Sequence, residues 1–220
     1  MKRNNSFLMS DLDSVTKPNI SFLHQCGINA RDIAKLCSRN PRVLNLNPGR
    51  LKEVVQRVKE LGLPRGSRMF KYAVAALAST TKEKGTSRLE FLKSTLGCSK
   101  RQVATAVFKI PSILTIPEES LLPKIQFMIN EVGLEPQYIL ERPDLLLYSL
   151  EKRLVPRHRV IKVLLAKGLL KSNWSFYSLA KLGEKNFRLK FIDCLKDSDT
   201  GLAYAYAAAC GGNVLPGDHL

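Results

Sequence analysis

Apolar residues recur at helical spacing in short blocks, and each block is cut by a glycine or a proline. Between residues 99 and 133, Val103, Val107 and Ile110 fall on one face of a first helix, with Ala104 and Phe108 beside them. Ser99 with Gln102 fits a capping box that opens it. Pro111 closes it, because proline has no N–H to donate and restricts the residue before it. A short apolar run, 113–116, follows. Ser120 then begins a second helix with Leu121, Ile125, Met128 and Val132 in register, Pro123 in its first turn and Gly133 just past its end. The stretch after Gly27 reads alike. Asn29 with Asp32 opens a helix, Pro41 ends it, and Asn47-Pro48 opens a second with Leu51, Val54, Val58 and Leu61 as its buried stripe.

These blocks repeat. Gly27, Gly62, Gly97, Gly133 and Gly168 are separated by 35, 35, 36 and 35 residues. A proline followed by x-[Val/Ile/Leu]-Leu recurs at Pro41, Pro111 and Pro143. Pro41 and Pro111 lie 14 residues after their glycines and Pro143 only 10 after its own, so that first helix is about one turn shorter. The unit between Gly62 and Gly97 has drifted: Ala76 replaces the proline, and residues 79–85 read as a polar loop. A helix pair cannot bury its apolar face alone, but stacked neighbours make one continuous core. The expected fold is therefore all-α, a helical-repeat solenoid (superhelix) of helix–break–helix units.

The expected organisation is a disordered N-terminal segment (1–13), the repeats (14–170), a C-terminal helical cap (171–200) and a loose Ala- and Gly-rich tail (201–220). Residues 14–25 resemble the second half of a unit, with Pro18 matching Pro123. The missing first half reads as a fragment or a start at an internal methionine.

Charge narrows the function. Lys plus Arg number 35 against 19 Asp plus Glu, a net charge of +16 that favours a polyanionic partner. Residues 50–110 hold 14 basic and 4 acidic side chains, whereas 111–150 hold 2 and 6. No apolar stretch is long enough to cross a bilayer, so a membrane-spanning chain is not expected; the charge alone fits nucleic acid or an anionic membrane surface, and of the two nucleic acid, not membrane, is the expected partner. Five scattered cysteines and three unclustered histidines suggest reduced thiols, with neither a zinc site nor a disulfide framework. No phosphate-binding loop, dinucleotide fingerprint or zinc-protease motif occurs, and neither a catalytic centre nor a cofactor is expected. Phe70 and Phe108 are assigned to the core. Burial is also favoured for Tyr72 and Tyr148, with base stacking as their alternative. His158, between Arg157 and Arg159, suits a solvated basic edge.

The recurring Gly…Pro-x-[Val/Ile]-Leu pattern resembles the mitochondrial transcription termination factor (mTERF) family, especially its plant organellar members. The longest resemblance runs through Val132-Gly133-Leu134-Glu135-Pro136, Arg142-Pro143-Asp144-Leu145-Leu146 and Tyr148 to Arg157. Tetratricopeptide arrays need an aromatic and small-residue pattern missing here, and pentatricopeptide repeats need no proline break. The resemblance implies a superhelix with a basic groove, binding nucleic acid in a mitochondrion or chloroplast and acting in transcription termination or other regulation of organellar gene expression. Double-stranded DNA is the expected ligand and a monomer the expected state. RNA in transcript splicing or processing, or an acidic protein partner, are the alternatives. Basic residues that recur at equivalent repeat positions are the candidate contacts: Arg39 with Lys109, Arg50 with Arg153, Lys124 with Arg157, and Arg65 with Lys100. Arg57, four residues after Glu53, reads instead as half of a surface ion pair.

Overall fold

The computed structural model describes residues 12–169, 174–193 and 200–210, apart from the side chains of Arg39, Thr200 and Leu202. The described elements are all helices or helical turns, with no strand among the described residues. They form two compact units: 1–122 with 136–143, and 123–135 with 144–220.

The first unit holds α1 (Lys17–Gln25), α2 (Ala30–Arg39), α3 (Pro48–Glu60), α4 (Phe70–Ala78), α5 (Lys82–Leu96) and α6 (Lys100–Lys109). α2 opens as expected, the Asn29 side chain accepting from the Asp32 N–H, and α6 carries the full Ser99–Gln102 capping box. After α2 and α6 the prolines start short 3₁₀ turns, Pro41–Val43 and Pro111–Thr115. The aliphatic pairs at these turns, Val43 with Leu44 and Ile113 with Leu114, are buried. A short helix α8 (Pro136–Glu141), six residues against ten in α6, completes this unit and matches the contracted proline spacing. α7 (Glu118–Gln126) precedes it and contains the boundary between the units.

All five repeat glycines are left-handed, with φ between 61° and 84°. Gly97 shows why: at φ 61° it caps α5, and its N–H and that of Cys98 close onto Ser94 and Lys93 carbonyls. A side chain there would meet the steric cost of the left-handed region.

Three local expectations need correction. α7 begins at Glu118 rather than Ser120, as the Glu118-Glu119 pair also signals in the sequence, since two leading carboxylates suit the positive end of a helix. Pro123 therefore lies inside that helix, not in its first turn. In the drifted unit the polar stretch is no loop beyond residues 79–81. Thr81 caps α5, and the following residues through Gly85 are already helical. With no proline to stop it, α4 continues through Ala76 to Ala78.

The second unit contains a π-turn (Phe127–Glu131), all but the first residue of a 3₁₀ turn (Pro143–Leu147), a second π-turn (Leu150–Leu154), α9 (Val155–Ala166), α10 (Phe176–Lys181), α11 (Glu184–Phe187), a third π-turn (Arg188–Ile192) and α12 (Thr200–Ala209). Its core joins Val160, Leu164, Leu179, Phe187, Ile192 and Tyr206. The stretch expected to be loose thus includes α12, because Tyr206 stacks on Phe187 at 5.3 Å and buries that face. Residues 12–13, assigned to a disordered segment, belong to a π-turn, Leu12–Thr16. Residues 1–11, 170–173, 194–199 and 211–220 lie outside the described residues. So does Cys194; the other four cysteines are free thiols, buried or half-buried.

Candidate nucleic-acid interface

The eight candidate cations divide by what their side chains touch. Arg157 is fully buried. Its guanidinium donates to the Leu179, Ala180 and Leu182 carbonyls at 2.9, 3.0 and 2.6 Å and to the Glu184 carboxylate at 2.9 Å, and lies over the Phe187 ring. Arg153 donates to the Ala180, Lys181 and Leu182 carbonyls and stacks on Tyr148 at 4.3 Å. Together they satisfy the carbonyls at the C-terminal end of α10, which no further helical turn can reach. Lys124 is buried and donates to the Leu146 carbonyl at 3.0 Å. Burial pushes its ammonium below the usual lysine range. These positions correct the expectation of nucleic-acid contact for Lys124 and Arg157, whose charges face protein rather than solvent. Arg153 is half-buried and committed to the same α10 carbonyls.

A shared internal contact explains why these cations recur. Lys124 lies three residues after a buried position, Leu121, and four before another, Met128. The same spacing picks out Asn19 in α1, Arg88 in α5 and Arg157 in α9. Asn19 donates to the Leu44 carbonyl at 2.8 Å, and Arg88 donates to that of Leu114 at 2.7 Å. Leu44, Leu114 and Leu146 each stand three residues after a turn proline. A polar side chain on one second helix thus ties down the proline turn of the next repeat. The residue directly after the helix proline, at Pro18, Pro123 and Pro156, carried this signal, but Arg88 has no such proline beside it.

Lys109 is intermediate. It is exposed and donates to the Glu141 carbonyl at 3.0 Å, which leaves further ammonium N–H groups for a ligand. Arg50, Arg65 and Lys100 are exposed. Arg39 ends α2, and its side chain lies outside those described. Arg57 forms no pair with Glu53; it is half-buried and turns to the Thr81 carbonyl at 3.5 Å.

Two grooves with basic residues in their walls open in the first unit. One, of 700 Å³, is lined by Arg68, Lys71 and Lys109, with the hydroxyls of Ser79, Ser112 and Thr115 and no carboxylate in its wall. Tyr72 lines the same groove at 39 % exposure, contrary to its expected burial. Lys71 also pairs with Asp32 at 2.6 Å, which holds that carboxyl below the usual aspartate range. The second groove, of 860 Å³ between α3 and α5, carries Arg50, Lys52, Arg57 and Lys82 against Glu53, Glu60 and Glu83. Phe70 is core as expected, whereas Phe108 is 38 % exposed. His158 is half-buried between Phe127 and Phe176 rather than on a solvated edge, and burial lowers its basicity.

No group of residues able to hold a metal ion occurs among the described residues, and no helix there is long and apolar enough to cross a membrane.

Comparison with known proteins agrees with the repeat pattern. MTERF15 of Arabidopsis thaliana, a mitochondrial transcription termination factor, is 28% identical over 171 residues, 78% of this chain and 38% of that protein. The chloroplastic transcription termination factor MTERF8 of the same plant is 25% identical over 171 residues, 78% of this chain and 33% of that protein. Mitochondrial transcription termination factor 3 of Drosophila melanogaster is 24% identical over 194 residues, 71% of this chain and 54% of that protein. The chain thus spans between about a third and about half of the length of these relatives. The sequence model of the mTERF family matches residues 1–188, and with its left-handed glycines and proline turns in place, the chain belongs to that family.

Proposed function

We propose that this chain is the nucleic-acid-binding part of an organellar factor for transcription termination or the regulation of organellar gene expression, with double-stranded DNA as its ligand. The observation that carries the reading is the set of exposed cations in residues 50–110, Arg50, Arg65 and Lys100 among them, in a unit that also has a groove walled by Arg68, Lys71 and Lys109 with no carboxylate in its wall. Cations in such an array displace counterions from a phosphate backbone and supply affinity without reading bases. Relatives named mitochondrial or chloroplastic termination factors support the same compartments and process. The chain acts by binding as a monomer, not as an enzyme, and termination follows when the bound protein obstructs a polymerase.

The test is binding of matched duplex DNA and single-stranded RNA across a salt series. On duplex DNA the affinity should fall with a log–log slope of about −4.5 or steeper, the value for five or more phosphates. Arg50→Gln, Arg65→Gln and Lys100→Gln should each reduce the slope by about 1. No binding to either nucleic acid at ~50 mM salt, where phosphate contacts are near their strongest, would overturn the reading.

One observation favours a second reading. Tyr72 lies exposed among Arg68, Lys71 and Lys109, an arrangement that can stack an unpaired base while cations hold its phosphates. Tighter binding to RNA than to duplex, lost in Tyr72→Ala, would move the function to transcript processing.

A further inference from the structure

We propose that the drifted second unit carries a binding site for a small organic anion, with a body of one or two rings and a single anionic group held by Arg57. The site is a half-enclosed cavity of 230 Å³ bordered by α3, α5 and α6. For scale, an apolar cavity of about 150 Å³ holds benzene.

The cavity exists because this unit lacks what fills the others. Elsewhere the proline turn presses an aliphatic pair into the junction between repeats: Val43 with Leu44, Ile113 with Leu114, Leu145 with Leu146, all buried. Here α4 gives way to Ser79, Thr80 and Thr81, which bring no apolar side chain. The space left open has apolar walls from Leu61, Leu77, Leu89, Val103 and Ala104.

Its polar end is built around Arg57. The guanidinium is half-buried at the wall and its hydrogen bond to the Thr81 carbonyl, at 3.5 Å, is at the limit of a real bond. Most of its donors remain available to a ligand. Gly85, buried within α5, makes room for it: a Cβ there would stand 2.5 Å from Arg57 Nη2, so no larger residue fits without displacing the guanidinium. Lys82, Lys93 and Lys100 also line the cavity, against Glu60 and Glu90. Four cations and two carboxylates line the cavity, with Lys93 paired to Glu90 at 2.9 Å, while Glu83 and Glu53 act on Arg57 from outside the wall. An apolar pocket with one desolvated, forked donor selects a ligand that brings both a ring and an anion.

The site shares Lys100 with the proposed nucleic-acid surface, but its test does not depend on nucleic-acid binding. The experiment titrates the full chain with naphthalene-2-sulfonate by calorimetry, with neutral naphthalene-2-methanol and inorganic sulfate as half-ligands. Saturable one-to-one binding is expected for the sulfonate, with each half-ligand about tenfold weaker or worse, since each forfeits either the apolar burial or the charge-assisted bond. Arg57→Gln should weaken the sulfonate about tenfold, and Ala104→Leu, which fills the floor, should abolish binding. Amide chemical-shift changes in the unsubstituted chain should centre on Gly85, Val103 and Ala104, which keeps the test decisive if a variant misfolds. Sulfate binding as tightly as the sulfonate would reduce the site to a bare cation cluster and overturn the proposal. So would shifts centred elsewhere, an unchanged affinity in Arg57→Gln, or no saturable binding at ~1 mM ligand, a free energy near −4 kcal/mol.

Discussion

The junction leading into the second repeat and the junction leading into the third are built from the same kind of helix pair, yet they are closed differently. At the third, Arg88 reaches from α5 to the Leu114 carbonyl, and the turn that carries it buries Ile113 and Leu114. At the second, the equivalent position in α3 is Val54, buried at the same spacing but without a donor. No proline turn stands opposite it, and α4 runs on to Ala78. The buried donor and the turn carbonyl are missing together, and what reaches across from α3 instead is the half-buried Arg57, 3.5 Å from the Thr81 carbonyl. A buried cation without a carbonyl would be costly, and so would a buried carbonyl without a donor, so loss of one partner favours loss of the other. The lesson is that repeat drift here removed a matched contact and left a cavity rather than a strained fold.

Four substitutions sharpen or break that comparison. The largest effect is expected at the last junction. Arg157→Met removes a fully buried guanidinium bonded to three carbonyls and Glu184, and should cost about 3–5 kcal/mol in urea unfolding. A loss below 1 kcal/mol would mean that packing over Phe187, not the contact to α10, holds this end together.

At a regular junction Lys124→Met leaves the Leu146 carbonyl without its donor and should lose about 1–3 kcal/mol by the same measurement. Val54→Asn asks the converse question at the drifted junction. A polar group placed there finds no turn carbonyl and should lose about 1–3 kcal/mol. If Val54→Asn were instead neutral, an acceptor must be present and the proposed difference between the junctions is wrong. The smallest effect is Gly97→Ala, about 1–2 kcal/mol from forcing a left-handed alanine, readable as a lower thermal midpoint. Since both kinds of junction have left-handed glycines, the penalty should be similar at Gly62 and Gly97.

Helix starts and stops were the most legible part of this chain. Capping by Asn29 and Ser99, the closure of α2 and α6 before Pro41 and Pro111, and the left-handed glycines all rest on interactions within a few residues. Apart from the starts of α5 and α7, the errors arose where distant contacts decide. Phe108 shares its helix face with apolar neighbours but remains 38 % exposed. The stretch containing Tyr206 has the composition of a loose tail, and Phe187, 19 residues away in sequence, gives it a packing partner. Recurrence of Lys124 and Arg157 was a true repeat signal, but its meaning was internal: repeats share junctions as well as surfaces.

The sequence by itself determined an all-α repeat, its period, its turns and an excess of positive charge, because local backbone preferences and hydrophobic spacing depend only on near neighbours. Only the tertiary structure decided which charges are available. Lys124 and Arg157 lie beside backbone carbonyls that lie 22 or more residues further along the chain, whereas Arg50, Arg65 and Lys100 face solvent. A buried cation must find acceptors and an exposed one need not, and that choice is made by the neighbouring repeat.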